Sequence, residues 1–213
     1  IVMDRNTSSK KSPYTVSLPT SSKKSLSNSP VSMPLNVGEN QIRNPFIIPG
    51  LKKVNVDSNL NPTYSLDNFV EGDCNRLARS AGFAVSNKPG GTAFNPLLLY
   101  GGVGLGKTHL AHAIGIGIKN QFPNKTVLYV GAEMFTRQFI DSIKNNTTND
   151  FVNFYKLMDV LIVDDVQFFA GKEKTQDAFF HIFNHLHQTG KQLILTSDKA
   201  PVEMKGVEQR LLS

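Results

Sequence analysis

The chain has 213 residues, of which 39% are hydrophobic, and it carries a formal net charge of +6 with Cys74 as its single cysteine. One cysteine excludes an intramolecular disulfide framework and is typical of a reducing compartment. The sequence also lacks a signal-peptide pattern and any run of about 18 apolar residues, so we expect a cytoplasmic protein that is neither secreted nor inserted in a membrane.

Most of the excess positive charge lies in residues 1–60, which hold eight Lys or Arg residues and three acidic residues. Ser, Thr, Asn, Lys and Pro dominate residues 7–40, where no apolar period could build a buried face. We expect residues 1–60 to be a disordered Ser/Lys/Pro-rich linker that acts as a solvated tether, although its charge could also contact nucleic acid weakly. The folded domain is expected at residues 61–213.

Strand-like and helical segments alternate through the expected domain. Short apolar runs bounded by turn residues predict buried strands at residues 96–100, 126–130, 160–163 and 192–196. Helices are predicted at residues 73–85, 107–120, 132–144, 150–157 and 173–188. This alternation indicates an α/β fold with three layers, in which helices cover both faces of a parallel sheet. Ligands of such folds bind at the carboxyl ends of the strands.

Residues 101–108, Gly-Gly-Val-Gly-Leu-Gly-Lys-Thr, fit the P-loop pattern between a predicted strand and a predicted helix. The glycines let backbone N–H groups turn around phosphates, Lys107 reaches the β and γ phosphates of ATP, and Thr108 ligates Mg²⁺. A ligand-free turn would not need Lys followed by Thr. The candidate ATP-binding residues of this segment are Gly102, Gly104, Leu105, Gly106, Lys107, Thr108 and His109.

Asp164 and Asp165 end the third predicted strand, Val160 to Val163. Carboxylates at the tip of a buried strand are costly unless they bind something. Asp164 is the expected Mg²⁺ ligand, and Asp165 is placed to orient or deprotonate a water for attack on the γ phosphate. An Asp pair that merely caps a helix is the alternative interpretation, and the upstream P-loop disfavours it.

Polar residues also lie at the end of the fourth predicted strand, at Thr196, and directly after it, at Ser197 and Asp198. A neighbouring strand could direct a polar group of this segment at the same γ phosphate. A turn formed by Ser197 and Asp198 before Pro201 accounts for these residues equally well. The sequence leaves both interpretations open.

Two further pairs of side chains could bind a ligand or could be ordinary surface residues. His181 and His185 have the spacing of metal ligands on a helix, but no Glu adjoins the first histidine and no third ligand is evident, so we expect them to cover a helix surface. Lys172 and Lys174 are either ordinary surface lysines or contacts to a phosphodiester backbone.

The motifs together resemble the AAA+ ATPase domain of the DnaA family of bacterial replication initiators. The likeness covers residues 61–213 and is carried by residues 95–110, by Asp-Asp-Val-Gln-Phe at 164–168, and by Leu-Thr-Ser-Asp at 195–198. The resemblance implies an ATP-dependent initiator of chromosomal replication that binds ATP with Mg²⁺, oligomerises at the replication origin and promotes duplex opening.

The resemblance also implies roles for individual residues. Phe69, Val70 and Asn75 match the segment near the adenine base, and Asp198 matches the polar sensor of the family, which makes it a catalytic candidate beside Asp165. The two helices between the second and third strands match an insertion that lines the filament interior. Ile140 and Lys174 correspond to positions implicated in holding single-stranded DNA in that interior, and Lys172, two residues before Lys174, is a third candidate DNA contact.

The resemblance further implies that parts of the family's chain are missing. The sequence does not begin with Met and ends without a capping residue, so we expect a fragment truncated before the fifth strand, the helical lid and the arginine that acts in trans. Arg210 matches an arginine near that position. Family partners would be origin DNA, a second copy of the chain, the replicative helicase and acidic phospholipids.

Three other functions use a similar nucleotide site. An AAA+ helicase loader shares it, but the Asp-Asp-x-Gln-Phe element and the Ser-rich linker favour the initiator. A small-molecule kinase would need an acceptor pocket and a mobile lid, and Asp165 suits water activation instead. A regulatory module would bind nucleotide with negligible turnover. We expect ATPase activity for a complete protein and weak activity for this chain.

Overall fold

The computed structural model describes residues 56–203, and within them the centre of the fold is a four-stranded parallel sheet. The strands lie in the spatial order β1-β4-β3-β2. Their bounds are β1 Leu97–Tyr100, β2 Val127–Gly131, β3 Val160–Asp164 and β4 Gln192–Ser197. Arg210 and most of the predicted linker, residues 1–55, lie outside the described residues.

Five α-helices surround the sheet in the described part of the chain. Their bounds are α1 Arg76–Asn87, α2 Lys107–Gln121, α3 Ala132–Lys144, α4 Thr148–Lys156 and α5 Glu173–Gln188. Two short 3₁₀ helices occupy Val166–Phe169 and Pro201–Glu203. Between residues 56 and 203, none of the helices combines the length and the apolar character needed to cross a membrane.

The core lies on both faces of the sheet because alternate strand residues point to opposite sides. Buried strand residues on the side of α1 and α2 are Leu97, Leu99, Val127, Val160, Ile162 and Ile194. Those on the side of α3, α4 and α5 are Leu128, Val130, Leu161, Val163, Leu193 and Leu195. Strands covered on both faces read as continuous apolar runs, and the layers confirm the predicted α/β fold.

Every predicted strand and helix of the described chain is present, with shifts at the ends. The first helix begins at Arg76 rather than residue 73, because the preceding residues form a turn in which the Gly72 N–H donates to Asn75 Oδ1 at 2.8 Å. The 3₁₀ helix after β3 was not predicted. It follows Asp165, whose φ of 61° and ψ of 49° are left-handed and end the extended strand.

Residues 56–60 pack on the domain ahead of the predicted boundary at residue 61. The Tyr129 N–H donates to the Ser58 carbonyl at 2.9 Å, and Lys119 Nζ donates to Ser58 Oγ at 3.2 Å. Leu60 packs against the core between α2 and the sheet. The predicted boundary therefore falls inside the packed part of the chain.

Candidate nucleotide-binding site

The loop of residues 101–106 joins β1 to α2 at the carboxyl edge of the sheet. Gly104 and Gly106 both have φ of 83°, a left-handed conformation that disfavours residues with a side chain. Space is not the constraint at Gly104, since a Cβ there would meet nothing within 4 Å. The loop leads into the N-terminus of α2, whose free N–H groups and partial positive charge favour phosphate.

Lys107 is held over this loop by two contacts. Its Nζ donates to the Gly102 carbonyl at 2.8 Å and lies 2.7 Å from Asp198 Oδ1, and only 11% of its side chain is exposed. Asp198 directly follows β4, which pairs with β1. The fold thus brings together a predicted phosphate-binding residue and a predicted polar sensor that are far apart in sequence.

The Asp164 carboxylate is buried at the end of β3 and accepts hydrogen bonds from three hydroxyl groups. Thr108 Oγ1 donates to Oδ2 at 2.9 Å, Tyr129 donates to Oδ2 at 2.6 Å, and Thr196 Oγ1 donates to Oδ1. The donors come from α2, β2 and β4. The predicted pair Thr108 and Asp164 is therefore adjacent. The cluster is completed by Thr196, one of the polar residues noted at the end of the fourth strand, and by Tyr129, which the sequence interpretation missed.

Thr108 and Asp164 fit a Mg²⁺ ion. Magnesium prefers hard oxygen ligands and is usually held in nucleotide sites by one or two protein groups, phosphate oxygens and water. A hydroxyl and a carboxylate 2.9 Å apart beside a phosphate loop fit the protein part of that donor set. Across residues 56–203 no group of three or more His, Cys, Asp or Glu residues is arranged to hold a metal ion, so an all-protein cage is not the arrangement found here.

Tyr129 is fixed against α2 by His112, whose ring stacks on it with 3.9 Å between centroids and 28° between planes. Burial, and then the hydrogen bond to Asp164, raise the pKa of Tyr129, so its hydroxyl remains a donor at neutral pH. Burial lowers the pKa of His112, and its Nδ1 accepts a hydrogen bond from the Asn61 N–H at 3.2 Å. The pair therefore combines a neutral imidazole with a neutral phenol.

Gln167 connects the two predicted catalytic residues, through the carboxylate of Asp165 and the backbone of Asp198. Its Nε2 donates to Asp165 Oδ1 at 3.0 Å, and its Oε1 accepts the Asp198 N–H at 3.2 Å. The Asp165 N–H in turn donates to Thr196 Oγ1 at 2.9 Å. Gln167 stands in the Asp-Asp-x-Gln-Phe element, so the motif itself carried the signal, but its bridging role requires the loop after β4 to be nearby.

A small open cavity lies beside the phosphate loop. Its lining residues are Phe69, Cys74, Asn75, Ala78, Leu99, Tyr100, Leu105, Gly106, Lys107 and Leu110. Phe69 is buried, whereas Val70 is 84% exposed. Asn75 Nδ2 donates a hydrogen bond to the Val70 carbonyl at 3.0 Å. Of the three predicted adenine contacts, Phe69 and Asn75 line the cavity and Val70 does not.

His109 joins the base-side segment to α2. Its Nε2 lies 3.0 Å from both the Ser65 carbonyl and Asn68 Oδ1, and its ring packs on Tyr64 and against the edge of Phe69. Two oxygen acceptors at Nε2 favour a proton on that nitrogen. The geometry therefore makes His109 a residue that positions Phe69.

The predicted DNA contacts lie on a separate surface. Ile140 on α3 and both Lys172 and Lys174 line one shallow groove, together with Thr136, Gly171, Glu173 and Thr175. Ile140 is 44% exposed, and the two lysines are exposed. The sequence prediction thus named three residues that share one groove. His181 and His185 are exposed on α5, as expected of residues that cover a helix surface.

Sequence comparison finds close relatives among replication proteins. Residues 60–213 match the family described as the bacterial DnaA ATPase domain. The chromosomal replication initiator DnaA of Flavobacterium psychrophilum is 61% identical over 208 residues, which cover 98% of this chain and 44% of that protein. The DnaA of Bacteroides thetaiotaomicron is 62% identical over 158 residues, covering 74% and 34%. The chain spans less than half the length of these relatives.

Solved structures with the same fold include AMPPCP-bound DnaA from Aquifex aeolicus, with 45% identity, a TM-score of 0.68, and coverage of 72% of this chain and 48% of that one. A replication initiator DnaA bound to AMPPCP and single-stranded DNA has 44% identity, the same TM-score, and coverage of 72% and 47%. The DnaC helicase loader, at 15% identity and a TM-score of 0.61 over 70% and 90% of the chains, shares the fold alone.

Proposed function

Because the chain belongs to the bacterial DnaA ATPase-domain family, we propose that it is the ATP-binding part of a chromosomal replication initiator that assembles at the origin and opens the duplex. The observation that carries the proposal is the convergence of Lys107, Thr108, Asp164 and Asp198 at one edge of the sheet, beside a glycine loop. This arrangement suits a nucleoside triphosphate with Mg²⁺, the cofactors proposed here.

In the proposed binding step, ATP phosphates occupy the loop at the N-terminus of α2. Lys107 exchanges its contact with Asp198 for the β and γ phosphates, and the base enters the cavity beside Phe69 and Asn75. Thr108 and Asp164 hold Mg²⁺, which when bound neutralises charge on the phosphate oxygens.

In the proposed hydrolytic step, Asp165 orients or deprotonates the attacking water. The support is its place one residue after the metal-side carboxylate and the hydrogen bond by which Gln167 restrains its Oδ1. Asp198 faces the same phosphates through Lys107 and responds to whether the γ phosphate is present. ATP turnover therefore becomes a signal that the protein can report to its neighbours.

The groove of Ile140, Lys172 and Lys174 is the proposed contact to single-stranded origin DNA. Two exposed ammonium groups provide phosphate contacts, and the exposed Ile140 side chain provides an apolar surface for sugar or base. A relative of 44% identity was solved with single-stranded DNA, which supports this ligand class.

The remaining elements of the proposal rest on family resemblance. They are ATP-dependent homo-oligomerisation, double-stranded origin recognition by a further domain, contact with the replicative helicase, binding of acidic phospholipids and a cytoplasmic location.

The test is sedimentation of the full-length protein with single-stranded DNA in ATP and in ADP. We expect large assemblies in ATP only, and their loss in Lys107→Ala. Lys125→Ala is a matched control, because Lys125 precedes β2 at the opposite, amino edge of the sheet. Equal assembly in ATP and ADP would contradict the proposal.

A further inference from the structure

The Tyr129 hydroxyl belongs to the hydrogen-bond cluster around Asp164, but it has no role in the proposed steps of ATP binding and hydrolysis. We infer that Tyr129 is a positioning residue for nucleotide-bound Mg²⁺, because together with Thr196 it fixes the plane of the Asp164 carboxylate. This inference rests on the proposed ATP site and adds a determinant of its metal affinity.

Tyr129 and Thr196 reach Asp164 from opposite sides of β3. Val163 pairs with Leu195, so Asp164 and Thr196 lie at the same level of adjacent strands. On the other side, Tyr129 pairs with Ile162, two residues before Asp164, and its long side chain extends forward to the carboxylate. Each strand that flanks β3 therefore contributes one hydroxyl.

The two hydroxyls bind different oxygens of the carboxylate. Tyr129 donates to Oδ2 at 2.6 Å, and Thr196 donates to Oδ1. One donor on each oxygen opposes rotation of the group about its Cβ–Cγ bond. Thr108 also contacts both oxygens, at 2.9 and 3.3 Å, but its hydroxyl is the one that must turn toward the metal. The Tyr129 and Thr196 bonds can persist after that turn.

The Tyr129 ring is itself held in place. His112 lies one helical turn after Thr108 on α2 and stacks on the ring, while the Tyr129 backbone N–H is bound by the Ser58 carbonyl. Partners that orient metal ligands commonly change metal affinity about 10- to 100-fold when they are removed. Tyr129 is such a partner, because its ring is held by His112 and its hydroxyl donates to the proposed metal ligand Asp164.

The experiment compares Tyr129→Phe with wild type in two titrations. One measures the affinity of the chain for a fluorescent ATP analogue in EDTA, and the other measures the Mg²⁺ concentration that gives half of the Mg²⁺-dependent gain in affinity. We expect Tyr129→Phe to leave the EDTA affinity unchanged and to raise the half-saturating Mg²⁺ concentration about tenfold. Phenylalanine retains the ring that stacks on His112, so the fold should persist.

Tyr155→Phe is the matched control, because it removes a buried tyrosine hydroxyl that donates to Gln138 Oε1 at 2.6 Å on α3. It should leave both titrations unchanged. Thr196→Val should reproduce the Mg²⁺ effect and Thr196→Ser should restore wild-type behaviour, which keeps the inference testable if Tyr129→Phe does not fold.

The outcomes separate this inference from the proposed function. An equal loss of affinity with and without Mg²⁺ in Tyr129→Phe would mean a purely structural role, and an unchanged Mg²⁺ requirement would also overturn the inference. Wild-type protein that binds no ATP analogue, or gains nothing from Mg²⁺, would instead defeat the ATP site itself.

Discussion

Lys107 and Asp198 form an ion pair across the mouth of the phosphate loop, with 2.7 Å between Nζ and Oδ1. In the proposed ATP site, Asp198 would compete with the phosphates for the Lys107 ammonium group. We therefore expect Asp198→Asn to bind ADP and ATP about twofold to fivefold more tightly, consistent with up to about 1 kcal/mol for a partly exposed pair. Fluorescent nucleotide titration measures it, with the exposed Asp141→Asn on α3 as control. Weaker binding would show that Asp198 assists the phosphates.

Lys107→Ala should lose nucleotide affinity while remaining folded. A charged hydrogen bond contributes about 1.5–3 kcal/mol, so the loss should be at least about tenfold. Thermal unfolding followed by circular dichroism should match wild type closely, because within residues 56–203 the ammonium contacts only Gly102 and Asp198 at the loop. Full affinity in a folded variant would disprove the site assignment.

Asp165→Asn and Asp164→Asn should fail in different ways. Asp165→Asn should retain ATP and Mg²⁺ binding but slow hydrolysis by about 100-fold or more, because activation of the attacking water is lost. Asp164→Asn should weaken Mg²⁺-dependent binding itself. Phosphate release in the full-length protein and nucleotide titration separate the two effects, and equal binding losses in both variants would contradict this division of roles.

Gly115→Val should destabilise the fold by about 1–3 kcal/mol through overpacking. A Cβ at Gly115 would lie 2.8 Å from Ile162 Cδ1 and 2.8 Å from Leu60 Cδ2, at the contact of α2 with the sheet. Gly131→Ala is the control, since a Cβ there meets nothing within 4 Å. Chemical denaturation measures the difference, and equal stabilities of the two variants would contradict the packing argument.

Asp159 should contribute stability that depends on pH. Burial acts to raise the pKa of its carboxyl, but the hydrogen bonds from Lys191 and the Thr126 N–H outweigh burial and lower the pKa below 3.8. The folded state therefore prefers the carboxylate, so the contribution is full above the unfolded pKa and disappears as pH falls through the folded pKa.

Asp159→Asn should accordingly cost about 1 kcal/mol at pH 7 and progressively less below about pH 4. Urea denaturation of both proteins across this range measures the difference. A gap that stays constant down to the lowest pH would refute the electrostatic origin.

Motifs made of contiguous residues could be predicted from the sequence, whereas side-chain contacts that depend on the alignment of neighbouring strands could not. The P-loop and the Asp164–Asp165 pair are contiguous, and their chemistry follows from residue type and position between a strand and a helix. The contacts of Tyr129 and Thr196 with Asp164 arise only after β2, β3 and β4 align, and apolar patterning does not specify that alignment. From the sequence alone, Tyr129 therefore could not be distinguished from the other core residues of its predicted buried strand.

Three side chains in the first turns of α2 make contacts with three different parts of the proposed site. Thr108 meets the metal-side carboxylate, His109 docks the segment that carries Phe69, and His112 braces Tyr129. If the site binds ATP with Mg²⁺ as proposed, we expect a small rotation of this helix to disturb the contacts to base, phosphate and metal together. In the proposed site, one rigid helix therefore links the positions of the base-side, phosphate-side and metal-side groups.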